Sequence, residues 1–121
     1  MIKLVVCTIT LAVVSSAVAG SAMTELTADQ LRTDFIGKAF KLVWTDGKQK
    51  QTGSQILAAD GSESLTMDSG YKDEGTWTMK GNLICSKWNR MKKQSPCAPI
   101  YSIGDGKLFW KDKNQSTTFS Q

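Results

Sequence analysis

Histidine is missing altogether: none occurs among the 121 residues. Its absence excludes the side chain best suited to moving protons near neutral pH, and with it Ser-His and Cys-His nucleophile pairs and histidine-held metal or haem. Proline is nearly as scarce, with only Pro96 and Pro99, and cysteine stands at three. No apolar run reaches the roughly 20 residues that a bilayer-spanning helix needs. No G-x-S-x-G elbow is present to expose a nucleophilic serine. Neither an internal repeat nor a low-complexity linker divides the chain, and its length fits a single domain.

What is present starts at the N-terminus. Lys3 opens an apolar and small-residue run through Val14, followed by Ser15-Ser16-Ala17-Val18-Ala19-Gly20. One basic residue, a short hydrophobic segment and small residues ending in Ala17-x-Ala19 form the three-part pattern of a secretory signal peptide. The pattern predicts cleavage after Ala19, leaving residues 20–121 as a single secreted β-rich domain, periplasmic or secreted, with no membrane span. Cys7 lies inside the apolar run and does not read as a lipid-bearing cysteine. Loss of Lys3 takes the net charge from +4 to +3, a mildly basic balance that, with an export address, argues against a nucleic-acid partner. Cys85 and Cys97 are then the only cysteine pair. Outside the cytosol such a pair predicts a structural disulfide, and its spacing is not the C-x-x-C of redox or metal sites.

The run Leu26-Thr27-Ala28-Asp29-Gln30-Leu31 collects helix-start signals: Thr27 as cap, Gln30 completing a capping box, and Leu26 with Leu31 as a hydrophobic staple. Gly37 supplies a stop, so a short amphipathic helix is expected over Ala28–Ile36. After Gly37 the period changes to alternation. Strands are expected at Phe40–Trp44, Ser54–Ala59, Ser62–Met67, Thr76–Met79, Leu83–Trp88, Ile100–Ile103, Lys107–Lys111 and Ser116–Phe119. Turn pairs such as Asp60-Gly61 and Gly81-Asn82 separate them. The expected fold is mainly β: one N-terminal helix, then an antiparallel up-and-down β-meander or small lipocalin-like barrel. Trp44, Trp77 and Trp110 read as core, whereas Trp88 stands beside a charged segment and is open between core and ligand contact.

Candidate functional residues are few. Lys87, Arg90, Lys92 and Lys93 cluster with Trp88 in the loop that the disulfide would close, which suits a ligand or acidic partner. A solvated loop fits the same charges. Asp73, Glu74 and Asp105 are the best carboxylates for acid–base work, but they neighbour turn glycines, where acidic residues are ordinary loop formers. Asn114-Gln115-Ser116 matches the N-glycosylation acceptor triplet.

The segment Asp73-Glu74-Gly75-Thr76-Trp77-Thr78-Met79-Lys80-Gly81-Asn82-Leu83-Ile84-Cys85-Ser86-Lys87-Trp88 resembles the G-x-W…L-x-C-x-x-W hairpin of small secreted alphaproteobacterial proteins grouped as a domain of unknown function. The Leu26–Leu31 opening, the Cys97 region with Tyr101, and Asp105–Trp110 look similar to that group. The resemblance implies a periplasmic, lipocalin-like or partial β-barrel domain with no assigned activity, and carries over no catalytic residues. Together these readings predict a non-enzymatic, monomeric binding domain that needs neither cofactor nor metal, for an unknown small ligand or envelope protein. An inhibitor or partner of a cell-envelope enzyme such as a lysozyme, inserting the Lys87–Lys93 loop, is the alternative. A weak hydrolase using Asp73 and Glu74 as acid and base comes third.

Overall fold

The sequence signals at Thr27 produce the helix they announce. In the computed structural model, which describes residues 23–92 and 96–121, helix α1 runs over Ala28–Asp34 with a complete capping box. The Thr27 N–H donates to Gln30 Oε1 at 2.9 Å, and the Gln30 N–H donates to Thr27 Oγ1 at 3.2 Å. The helix ends slightly before the expected Ile36, and the Gly37 N–H turns away to the Leu57 carbonyl at 2.7 Å. The signal peptide expected over residues 1–19, with Cys7, lies outside the described residues, as does Lys93.

The described residues contain ten strands: β1 Thr24–Glu25 ahead of the helix, then β2 Ala39–Asp46, β3 Gln49–Leu57, β4 Ser62–Met67, β5 Lys72–Lys80, β6 Leu83–Trp88, β7 Cys97–Ala98, β8 Tyr101–Gly104, β9 Lys107–Asp112 and β10 Gln115–Ser120. They form one antiparallel sheet in the order β1-β8-β9-β10-β2-β3-β4-β5-β6-β7, curled into a half-barrel. Sequence neighbours pair from β2 to β7 and from β8 to β10, and β10 then returns to β2. The meander is therefore cyclic, and its break falls between β7 and β8, where Pro99 and Ile100 carry the chain from one sheet edge towards the other. Pro99 has no N–H to give to a ladder, which suits an interruption at this point.

Two expected strand starts move by several residues. β3 begins at Gln49 instead of Ser54, because Gln49–Gln51 pair with Trp44–Asp46 of β2 despite their low strand propensity. β5 begins at Lys72 instead of Thr76, so Asp73 and Glu74 belong to a strand and not to a loop. The two-residue strands β1 and β7 carry no pattern long enough to read. Gly81 takes φ +60° in the two-residue turn between the paired Lys80 and Leu83, which fixes the register of the β5–β6 hairpin.

Curvature comes from two glycines inside strands. A Cβ on Gly53 would lie 2.5 Å from the Thr66 carbonyl oxygen, and one on Gly75 would overlap that of Lys87. Only a residue without a side chain lets the neighbouring strand fold in so closely. Helix α1 plugs one end of the half-barrel: Leu31 is wholly buried, and Phe35 meets Phe40 and Phe119 at ring-centroid distances of 5.4 and 5.3 Å. The Asn82 side chain accepts from the Ala28 N–H at 2.8 Å, tying the helix start to the β5–β6 turn.

Candidate ligand cavity

Side chains alternate across a strand, so the register decides which residues meet inside. Phe40, Leu42 and Trp44 of β2 share a face with Gln51 and Gln55 of β3, Leu65 and Met67 of β4, and Thr117 and Phe119 of β10. At one level Thr117 stands between Trp44 and Trp110, paired with both. The Phe35 end of this interior is filled, but beyond it the side chains leave a cavity of about 270 Å³. Three tryptophans line it, Trp44, Trp88 and Trp110, with Tyr71 and Met91 among the remaining wall residues. Its polar groups are Gln51, Gln55, Ser86 and Thr117, besides the Tyr71 hydroxyl, and among the described residues no charged side chain lines it.

Trp88 thus points inward and is 5% exposed, the most buried tryptophan of the four. Its charged chain neighbours leave it open in the sequence; alternation places Ile84, Ser86 and Trp88 together on the interior face. Trp77 does not line the cavity. Its indole N–H donates to the Ala58 carbonyl at 2.8 Å, at the β3–β4 turn.

Two carboxylates lie inside the half-barrel wall, Glu63 and Asp73, both 3% exposed. Asp73 is fully provided for. Its oxygens accept from the backbone N–H groups of Glu74 at 2.8 Å, Arg90 at 3.0 Å and Met91 at 2.9 Å. Burial works to raise its pKa, but the amides of Met91, Arg90 and Glu74 outweigh it and hold the carboxyl below its ordinary range. Glu63 is provided for by half. The Ser86 hydroxyl donates to Oε2 at 3.1 Å, while Oε1 is buried with no partner. Burial pushes this carboxyl up to about 7, with a smaller contribution from the Asp73 charge, against the opposing Ser86 hydrogen bond. Gly75 stands between Glu63 and Trp88 in the register, and with no side chain there the glutamate reaches over to β6. Sequence reasoning misses Glu63. Its alternation with Leu65 and Met67 is the available signal, since it puts an acidic residue on an apolar face.

The other expected residues are dispersed. Glu74 is exposed and, as the neighbour of Asp73 in one strand, faces the opposite side of the sheet, so the two do not share a cleft. Asp105 is an exposed turn residue with φ 54°. The string Ser69-Gly70-Tyr71-Lys72 matches the S-x-x-K spacing, but it spans a turn into β5 with Ser69 and Lys72 both exposed. Lys87 points outward from the strand that carries Trp88 inward. Lys92 is exposed. Arg90 lies against the fold: its guanidinium sits 4.5 Å from the Tyr71 ring centroid and donates to the Lys72 carbonyl at 2.9 Å. In the described part of the basic loop, Trp88 therefore enters the interior, Lys87 and Lys92 face solvent, and Arg90 lies over Tyr71.

Cys85 and Cys97 are bonded, with Cα atoms 3.9 Å apart at directly opposed positions of β6 and β7. Among the described residues no group of histidine, cysteine and carboxylate side chains could hold a metal ion, and no helix is long and apolar enough to cross a membrane. No family model matches the chain, and neither a curated protein nor a solved structure matches it.

Proposed function

We propose that the chain is an exported, non-enzymatic binding domain whose lipocalin-like interior holds one small apolar ligand. The observation that carries this reading is the 270 Å³ cavity, walled by aromatic and aliphatic side chains with a few convergent polar groups. Such a composition is what small-molecule sites use: apolar surface for affinity and a handful of polar atoms for orientation. A dry apolar cavity of about 150 Å³ takes up benzene, so this one has room for a substituted ring or a short branched chain. Export is supported by the signal pattern at residues 1–19 and by the Cys85–Cys97 bond, which persists in oxidising compartments. The resemblance of the Gly75–Trp88 hairpin to small periplasmic domains points the same way.

Calorimetric titration with ethylbenzene, which has no polar group, tests the reading. The native protein should bind it with one site, and Thr117→Ile and Ala98→Phe, which take up part of the cavity from two different strands, should each weaken binding while retaining the fold. Absence of binding by the native protein, or undiminished binding by both folded variants, would refute it.

A further inference from the structure

The chemistry behind Ser86 narrows the ligand class, given the cavity-binding reading above. Ser86 lines the cavity and has one hydroxyl hydrogen, which it donates to Glu63 Oε2 at 3.1 Å. The serine oxygen is thereby left as an acceptor towards the interior. Behind it lies a glutamate that is 3% exposed, with Oε1 lacking any partner. An unmet buried acceptor is costly, and the cost falls when a donor reaches it. Ser62, Ser64, Thr76 and Asn89 line a second hollow together with Glu63, yet none of them bonds to Oε1. β3 contributes Leu57 opposite Glu63, β5 contributes Gly75 opposite it and the anionic Asp73 nearby, and β6 contributes Ser86. Arg90, the basic group held against the cavity wall, is occupied with the Tyr71 ring and the Lys72 carbonyl.

We propose that the cavity selects a small apolar amine, its body among Trp44, Trp88 and Trp110 and its nitrogen donating to Ser86 Oγ, with Glu63 as the acidic group behind that serine. An ammonium group loses water on entering and recovers the loss only against an acceptor backed by opposite charge. Ser86 with Glu63 offers both; Tyr71, the other lining hydroxyl bonded to a carboxylate, donates to Asp73 at 3.4 Å but carries the Arg90 guanidinium over its ring, which disfavours a second cation there. A carboxylate at the same position would face the serine lone pairs and the glutamate, and is excluded.

Three probes of nearly one shape separate the cases: 2-phenylethylamine, ethylbenzene and phenylacetate, titrated calorimetrically at pH about 8, where Glu63 carries its charge. The amine should bind at least about tenfold more tightly than the hydrocarbon, which corresponds to about 1.4 kcal/mol, and phenylacetate should not bind. Glu63→Gln and Ser86→Ala, each checked for native near-UV dichroism, should bring the amine to the affinity that the same variant shows for ethylbenzene. Binding of ethylbenzene with no preference for the amine, or a preference that survives both variants, overturns the amine assignment and leaves the cavity reading standing. Failure of all three probes overturns both.

Discussion

Glu63 and Asp73 sit within one wall, yet their surroundings drive their protonation apart. Three amides stabilise the Asp73 carboxylate, whereas Glu63 has one hydroxyl and an unmet oxygen. With its carboxyl raised from 4.5 to about 7, Glu63 holds a proton in the native state over a range where the unfolded chain has released it. Stability should therefore fall as pH rises from about 4.5 to about 7 and level off above, losing at most about 3 kcal/mol. Glu63→Gln should flatten this slope, raising the urea midpoint at pH about 8 and leaving it nearly unchanged at pH about 4.5. Parallel profiles for the two proteins would contradict the burial argument. The sign reverses for Asp73. Its depressed pKa makes it a stabilising group above the ordinary aspartate range, a contribution lost as acid titrates the native carboxylate. Asp73→Asn replaces an oxygen acceptor by an NH₂ donor facing amide donors, and should cost about 2 kcal/mol at neutral pH, read from urea unfolding.

At the scale of elements, β7 is held by a short ladder, pairing with β6 through two residues only. The Cys85–Cys97 bond holds it there, and Ala98 and Ile100 on either side of Pro99 line the cavity. A double Cys85→Ser, Cys97→Ser variant should lose on the order of 2–4 kcal/mol in urea unfolding. It should also lose ethylbenzene affinity, since one wall is released with the strand; undiminished stability would show that the ladder alone holds β7. Gly75 is the complementary case. A methyl group there would overlap the backbone carbonyl of Lys87, which cannot yield as a flexible side chain does. Gly75→Ala should cost about 3 kcal/mol by forcing β5 and β6 apart, measured in the same way. The elements with repeating chemistry are the legible ones: the Thr27–Gln30 capping box announces α1, and alternation with two-residue turns marks the cores of β2, β4, β6, β9 and β10. The polar start of β3 and the two-residue strands are hidden, because pairing partners create them and composition does not.

For the whole molecule, the mainly β, curled architecture is legible in the sequence, while its cavity is not. A cavity arises from volumes on many strands at once, and nothing in one strand's pattern states whether facing side chains fill the space between them. Trp88 illustrates this, since its place beside a charged segment leaves it open in the sequence, and the register turns it inward. Among the described basic residues, Lys87 faces outward as the strand neighbour of the inward Trp88, whereas Arg90, beyond the strand, lies over the Tyr71 ring. The four tryptophans offer the most direct test of the central claim, that the interior is a ligand site. Trp44, Trp88 and Trp110 line the cavity, whereas Trp77 gives its indole N–H to Ala58 outside it. Indole N–H resonances, assigned by single Trp→Phe substitutions, should be followed during titration with ethylbenzene. Ligand in the interior should shift Trp44, Trp88 and Trp110 saturably and leave Trp77 unmoved; no shift in those three, or an equal drift of all four, would rule the interior out as the ligand site.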